Sequence, residues 1–138
     1  MAALTQDRNT PVKYVERTVR VPVATNVKIF VGALVSRNAT GFLIPAADTA
    51  GTKVIGVSSE NVDNTGGADG AKSALVMKGV FRLGTTGANA VTQADMGNDV
   101  YVSDDQTVLK AAGPTNDIPA GTLEAMDGAA DVWIAVGL

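Results

Sequence analysis

Short runs of Val, Ile and Leu, each closed by glycine, asparagine or aspartate, constrain the fold of this chain more than any other feature. Residues 12–23 alternate apolar and polar side chains, and this period of two predicts a strand. Residues 99–102 and 107–110 flank the turn sequence Ser-Asp-Asp-Gln, and residues 121–126 and 131–136 flank Asp-Gly-Ala-Ala. Both patterns predict hairpins. About eight short strands predict an all-β fold, a small β-barrel or sandwich.

One short segment has the pattern of a helical turn. Thr92 is a suitable N-cap for residues 92–96, and Gly97 is a suitable terminator. Such a turn is too short to be stable alone. The sequence therefore predicts at most one short helix.

The longest predicted strand is residues 74–83. Gly79 is expected to mark a bulge that bends this strand, with Leu75 and Met77 pointing inward. After the register change, Val80 or Phe81 is expected to point inward too. The single tryptophan, Trp133, is expected in the core.

Two polar segments are expected to lie outside the core. Residues 61–72 are rich in Gly, Asn and Asp, which predicts a mobile surface loop. Residues 1–11 lack any apolar period, which predicts a flexible N-terminal arm before a single β-barrel-like domain at residues 12–138.

Charge is unevenly distributed along the chain. Residues 1–20 hold four basic and two acidic side chains, net +2, so the remainder carries −5 of the total of −3. An acidic body behind a mildly basic arm argues against a nucleic-acid partner. No segment approaches the roughly 20 apolar residues needed to cross a bilayer, so synthesis in the cytoplasm and no membrane association are expected.

The composition excludes much familiar catalytic chemistry. The chain has no Cys and no His, which removes thiol nucleophiles, imidazole bases and most zinc sites. The glycine-rich segments at residues 66–70 and 84–87 lack the Gly-Lys-Ser/Thr ending of a phosphate-binding loop. No cofactor and no metal are therefore predicted.

Carboxylates are the remaining candidates for acid/base catalysis. Asp104 and Asp105 are neighbours, and Asp63 lies near Asp69, but all four are expected in exposed loops. Solvent would there hold each pKa near its usual value, whereas an acid/base pair needs one pKa raised by an apolar pocket. The sequence thus predicts that the chain is not an enzyme.

Several segments together resemble the capsid cement (head decoration) proteins of tailed phages. The resemblance covers roughly residues 25–138 and is carried by residues 32–35, 40–51, 53–58, 61–64, 67–70, 79–82 and 97–108. It implies a β-barrel-like body on the outer surface of the virion capsid, often as a homotrimer, bound to the major capsid protein and bridging capsomers. Members of this family have sometimes been labelled recombinases, but that label requires the nucleotide-binding loop that this chain lacks.

Two interpretations of the N-terminal region remain open. In the first, an extended arm adds a strand to the capsid protein and five side chains bind the capsid: Arg8, Lys13, Tyr14, Arg17 and Arg20. In the second, residues 12–23 are simply the first strand of the body. A tail-associated or receptor-binding β module is the alternative function, because short strands and glycine-rich loops serve adhesins equally well.

Overall fold

The computed structural model describes residues 2–138, except for the side chains of residues 14–16, and is almost entirely β. Over these residues the chain forms one 3-10 turn, Gln93–Asp95, and eleven strands. The strands are β1 (Val12–Pro22), β2 (Lys28–Ile29), β3 (Leu34–Arg37), β4 (Leu43–Pro45), β5 (Lys53–Ser58), β6 (Val62–Asp63), β7 (Ser73–Gly84), β8 (Asp99–Val102), β9 (Val108–Leu109), β10 (Pro119–Asp127) and β11 (Asp131–Val136).

Nine strands form one sheet that curls into a half-barrel. Its order is β4-β3-β5-β7-β11-β10-β8-β9, and β1 pairs with β7 outside this path. The turn between β8 and β9 comes back to the other side of the sheet, where the Leu34 N–H donates to the Asp105 carbonyl at 2.8 Å. The Gly84 N–H likewise donates to the Gln106 carbonyl at 2.9 Å. The predicted all-β barrel-like class is confirmed.

Two apolar cores lie on opposite faces of the central strands. Neighbouring residues of a strand point to opposite faces, and in β3 Leu34 belongs to the larger core while Val35 belongs to the smaller one. In β7, Val76 belongs to the smaller core and Phe81 to the larger. β7 is therefore covered on both faces, and it pairs with β1, β5 and β11.

Both predicted hairpins are confirmed. β8 pairs antiparallel with β9, and β10 pairs antiparallel with β11. The predicted helical turn is confirmed as the 3-10 turn, where Asp95 Oδ2 accepts a 2.9 Å bond from the Thr92 N–H. Gly97, with φ +80°, ends it.

The predictions for residues 74–83 were partly wrong. Ala74 and Val76 are fully buried and Leu75 is only half-buried. Met77 packs against the larger core as predicted, and Val80 and Phe81 are both buried. The register of β1 against β7 does shift opposite Gly79, but the extra residue lies in β1, so β7 keeps its alternation. Trp133 is half-buried rather than a core residue.

Residues 61–72 are better structured than their composition predicted. They contain β6, which pairs with β2 in a separate small sheet. Asn64 is only 2% exposed, and its side-chain amide donates to the carbonyls of Ala24 and Ala68. The segment is thereby hydrogen-bonded to the body; its mobility stays a prediction.

Candidate functional site

Residues 2–11 have no regular structure, but they lie against the body along their whole described length. The Leu4 N–H donates to Asp105 Oδ1 at 3.0 Å, and the Arg8 N–H donates to the Val31 carbonyl at 2.9 Å. The Thr10 hydroxyl donates to the Gly32 carbonyl at 2.6 Å. These bonds attach both ends and the middle of the segment. Its flexibility, and the division into residues 1–11 and 12–138, stay predictions.

Arg8 is directed toward the body. Its Nη1 donates to Thr10 Oγ1 at 2.7 Å and to the Arg82 carbonyl at 3.1 Å. Burial lowers the pKa of the guanidinium from its usual value, although Asp131 opposes this change. Arg8 is thus half-buried, and its side-chain hydrogen bonds are made within the protein.

Gly32 allows the N-terminal segment to approach. A Cβ at this position would lie 2.0 Å from the Arg8 carbonyl oxygen, and the residue has φ +86°. Both the close backbone approach and the positive φ require glycine. No feature of the sequence around Gly32 distinguishes it from the glycines of ordinary turns.

β1 is the outer strand of the sheet. Among the described residues it pairs with β7 alone, so its second edge has no strand partner. Lys13, Arg17 and Arg20 are exposed on it, as is Val19 at 37%. The interpretation of residues 12–23 as a strand of the body agrees with this pairing, yet the strand also presents a free edge.

The remaining predicted binding residues differ in the contacts that their side chains make. Lys13 Nζ lies over the Trp133 ring, 5.8 Å from its centroid. Arg20 forms a 2.9 Å ion pair with Glu60, and Arg17 lies opposite Lys78 in the register of β1 and β7. Tyr14 belongs to β1, but its side chain lies outside the described residues. The structure therefore brings Lys13, Arg17 and Arg20 onto one strand and separates Arg8 from them.

The candidate acid/base carboxylates Asp63, Asp69 and Asp104 each accept hydrogen bonds from the protein. Asp104 Oδ1 accepts from the Gln106 N–H at 3.0 Å, and Asp69 Oδ1 accepts from the Thr25 N–H at 2.7 Å. Hydrogen bonds from the Thr65 side chain and backbone lower the pKa of Asp63. The bonds of Asp63 and Asp104 lie within their own turns, and the bond of Asp69 joins two loops that are distant in the chain.

Asp105 corrects one expectation. It was placed in an exposed loop, but it is 3% exposed, and desolvation raises the pKa of its carboxyl group while the Leu4 N–H opposes that change. The reason is tertiary: the turn that contains it packs against β3 and residues 2–11. No signal in the sequence separates Asp105 from Asp104.

The part of the chain that the structure describes holds no cluster of three or more acidic side chains arranged to bind a metal ion. None of its helices is long and apolar enough to cross a membrane.

Comparisons with protein-family models, with curated proteins and with solved structures found no match to this chain. The resemblance to capsid decoration proteins therefore stays a prediction from sequence. The geometry of β1 and of residues 2–11 is the independent evidence on which a function can be argued.

Proposed function

We propose that this chain is a structural virion protein that binds the outer surface of a phage capsid as a homotrimer and stabilises it by bridging capsomers. The observation that carries the proposal is the unpaired outer edge of β1. The predicted resemblance supplies the partner, the major capsid protein, and the edge supplies a physical way to bind it.

An exposed strand edge offers a row of free N–H and C=O groups to a strand from another chain. β1 is 11 residues long and has exposed side chains along its described length apart from the half-buried Val21. Its two register shifts and its exposed basic side chains are features that protect such an edge against pairing with further copies of the same strand. The charges of Lys13 and Arg17 oppose pairing between copies of β1, so they favour a partner with acidic side chains over self-association.

Bridging explains how a small protein could stabilise a large shell. A standard interface buries about 1,600 Å² in total, and several such contacts made by one trimer act together through their high effective concentration. Each contact can then be weak individually. The capsid subunits are held because separating them requires several contacts to break together.

Hydrogen exchange tests the strand-addition mechanism directly. The outward amides of β1 are expected to exchange quickly in the free protein and slowly once it is bound to expanded heads, because strand addition places them in a ladder. Peptides from β9 provide the internal control. Binding without new protection in residues 12–22 would reject β1 as the contact.

A charge variant and a deletion separate the two parts of the N-terminal region. Arg17→Glu is expected to weaken binding to heads, whereas Lys110→Glu, at the far end of the sheet order, is expected to leave it unchanged. Deleting residues 2–11 tests whether the docked segment contributes. Electron microscopy of particles with and without the protein then locates it: density on the outer head supports the proposal, and density at the tail supports a tail module.

A further inference from the structure

We infer that Arg37, Lys53 and Lys78 form a second binding site, for an acidic peptide segment of a protein partner. The three side chains come from β3, β5 and β7 and line one cleft of about 370 Å³, together with Val54, Ile55, Gly137 and Leu138. None of these lining residues belongs to β1, although Arg17 of β1 lies opposite Lys78 in the register. The inference does not depend on the proposed function.

The register of the sheet holds the cations together. Arg37 lies directly opposite Lys53 in the pairing of β3 and β5. Like charges at directly opposed positions destabilise a sheet. The fold therefore tolerates an unfavourable arrangement that an anion would relieve.

Backbone packing positions the third cation. A Cβ on Gly137 would lie 2.9 Å from Lys78 Cγ and 3.2 Å from its Cδ, so the aliphatic stem of Lys78 lies close against that backbone. Gly137 also has φ +75°. The stem is packed while the ammonium group stays at the cleft, which reduces the entropy lost when an anion binds.

The cluster makes no ion pair among the side chains that the structure describes. Arg82 pairs with Asp127 and Asp131, at 3.1 and 2.9 Å. By contrast, Arg37, Lys53 and Lys78 form no ion pair with any carboxylate among the side chains that the structure describes, and Arg37 donates only to the Asn38 carbonyl. In a chain of net charge −3, three cations that line one cleft attract negative charge.

A neighbouring cleft favours a peptide over other anions. It has a volume of about 400 Å³, shares Arg37, Lys53, Val54 and Gly137 with the first cleft, and continues over Pro119, Ala120 and Gly121. Small apolar side chains fit this surface. A nucleic acid would need a longer basic stripe and aromatic platforms, and no aromatic side chain lines either cleft.

The probe is a short blocked peptide of alternating aspartate and alanine, with an asparagine–alanine peptide as its uncharged match. The acidic peptide is expected to protect the amines of Lys53 and Lys78 from acetylation in the wild-type protein, while Lys28 and Lys110 stay reactive. Its affinity is expected to fall with added salt. Equal protection by the asparagine peptide, or no protection at low salt, would overturn the inference.

Variants and competing anions complete the test. Lys53→Gln and Lys78→Gln are each expected to weaken peptide binding by about threefold to tenfold, and Lys110→Gln to leave it unchanged. Because the labelling experiment uses wild-type protein, it decides the matter even if a variant fails to fold. Inorganic phosphate binding as tightly as the peptide, or a single-stranded oligonucleotide binding more tightly, would assign the cleft to those ligands and reject the peptide.

Discussion

Residues 2–11 and strand β1 are adjacent in the chain and opposite in character. The first segment has no regular structure, yet hydrogen bonds from Leu4, Arg8 and Thr10 attach it to the body. The second is a regular strand, yet it contacts the sheet along one edge and exposes most of its described side chains. Regular secondary structure is thus a poor guide to which segment is integrated and which is available to a partner.

The physical reason is where the backbone groups find partners. In residues 2–11 the polar groups are paired with body atoms that lie far away in the sequence. β1 is an outer strand, so the backbone groups of every second residue pair with β7. The backbone groups of the residues between them face solvent or a partner.

The largest effect on stability is expected at the contact between Gly32 and the Arg8 carbonyl. Gly32→Ala should lower the free energy of unfolding by about 3 kcal/mol, because it combines a strained positive φ with a backbone clash. Gly51→Ala is the matched control: Gly51 has φ +82° and open space around it, so only the backbone cost of about 1 kcal/mol is expected. If urea unfolding gave the two variants the same loss of unfolding free energy, the contact between Gly32 and Arg8 would contribute nothing to stability.

Deleting residues 2–11 should cost about 2 kcal/mol, through the lost hydrogen bonds and the lost packing of Leu4 on the smaller core. In the shortened protein, Gly32→Ala should then cost only its backbone strain. This non-additivity, measured in a double-mutant cycle of urea unfolding, isolates the contact between the segment and the body. Additive losses would contradict the docked position.

Asp105→Asn should change how stability depends on pH. Burial raises the folded-state pKa of Asp105 above 3.8, so the stability that this group contributes is complete below its unfolded pKa and is lost as pH rises through the folded pKa. The variant should lack this decline. Urea midpoints measured across that pH range would contradict the expectation if both proteins followed the same curve.

The smallest effect is expected on β1 itself. Arg17→Gln should raise the free energy of unfolding by at most about 0.5 kcal/mol, because it removes a cation opposite Lys78. The gain should disappear in high salt, since screening weakens the repulsion. A loss of several kcal/mol would instead make β1 an integral support of the body.

Much of the architecture followed from local signals. The Ser-Asp-Asp-Gln and Asp-Gly-Ala-Ala turns between alternating segments predicted both hairpins, and Thr92 with Gly97 predicted the single helical turn. The face of β7 was harder to predict. Its two sides are both covered, so the half-buried Leu75 could not be distinguished from the buried Ala74 and Val76 by hydrophobicity.

The candidate sites depended far more on distant contacts. The basic side chains near the N-terminus were found in the sequence, but their different engagement was not, because Arg8 and Arg17 look alike until the fold places one beside Arg82 and the other opposite Lys78. Asn64 and Asp105 are polar residues in turn-like segments. Only packing from elsewhere in the chain buries them.

The all-β class, the hairpins and the absence of thiol and imidazole chemistry can be read from the residues alone, since they depend on residue type and on neighbours a few positions away. Three features required the folded chain: Gly32 receives the N-terminal segment, β1 has an outer edge without a strand partner among the described residues, and Arg37, Lys53 and Lys78 share a cleft. Those features come from strand order and register, which bring together residues that are far apart in the sequence. A pattern of neighbouring residues does not show which distant residues will meet.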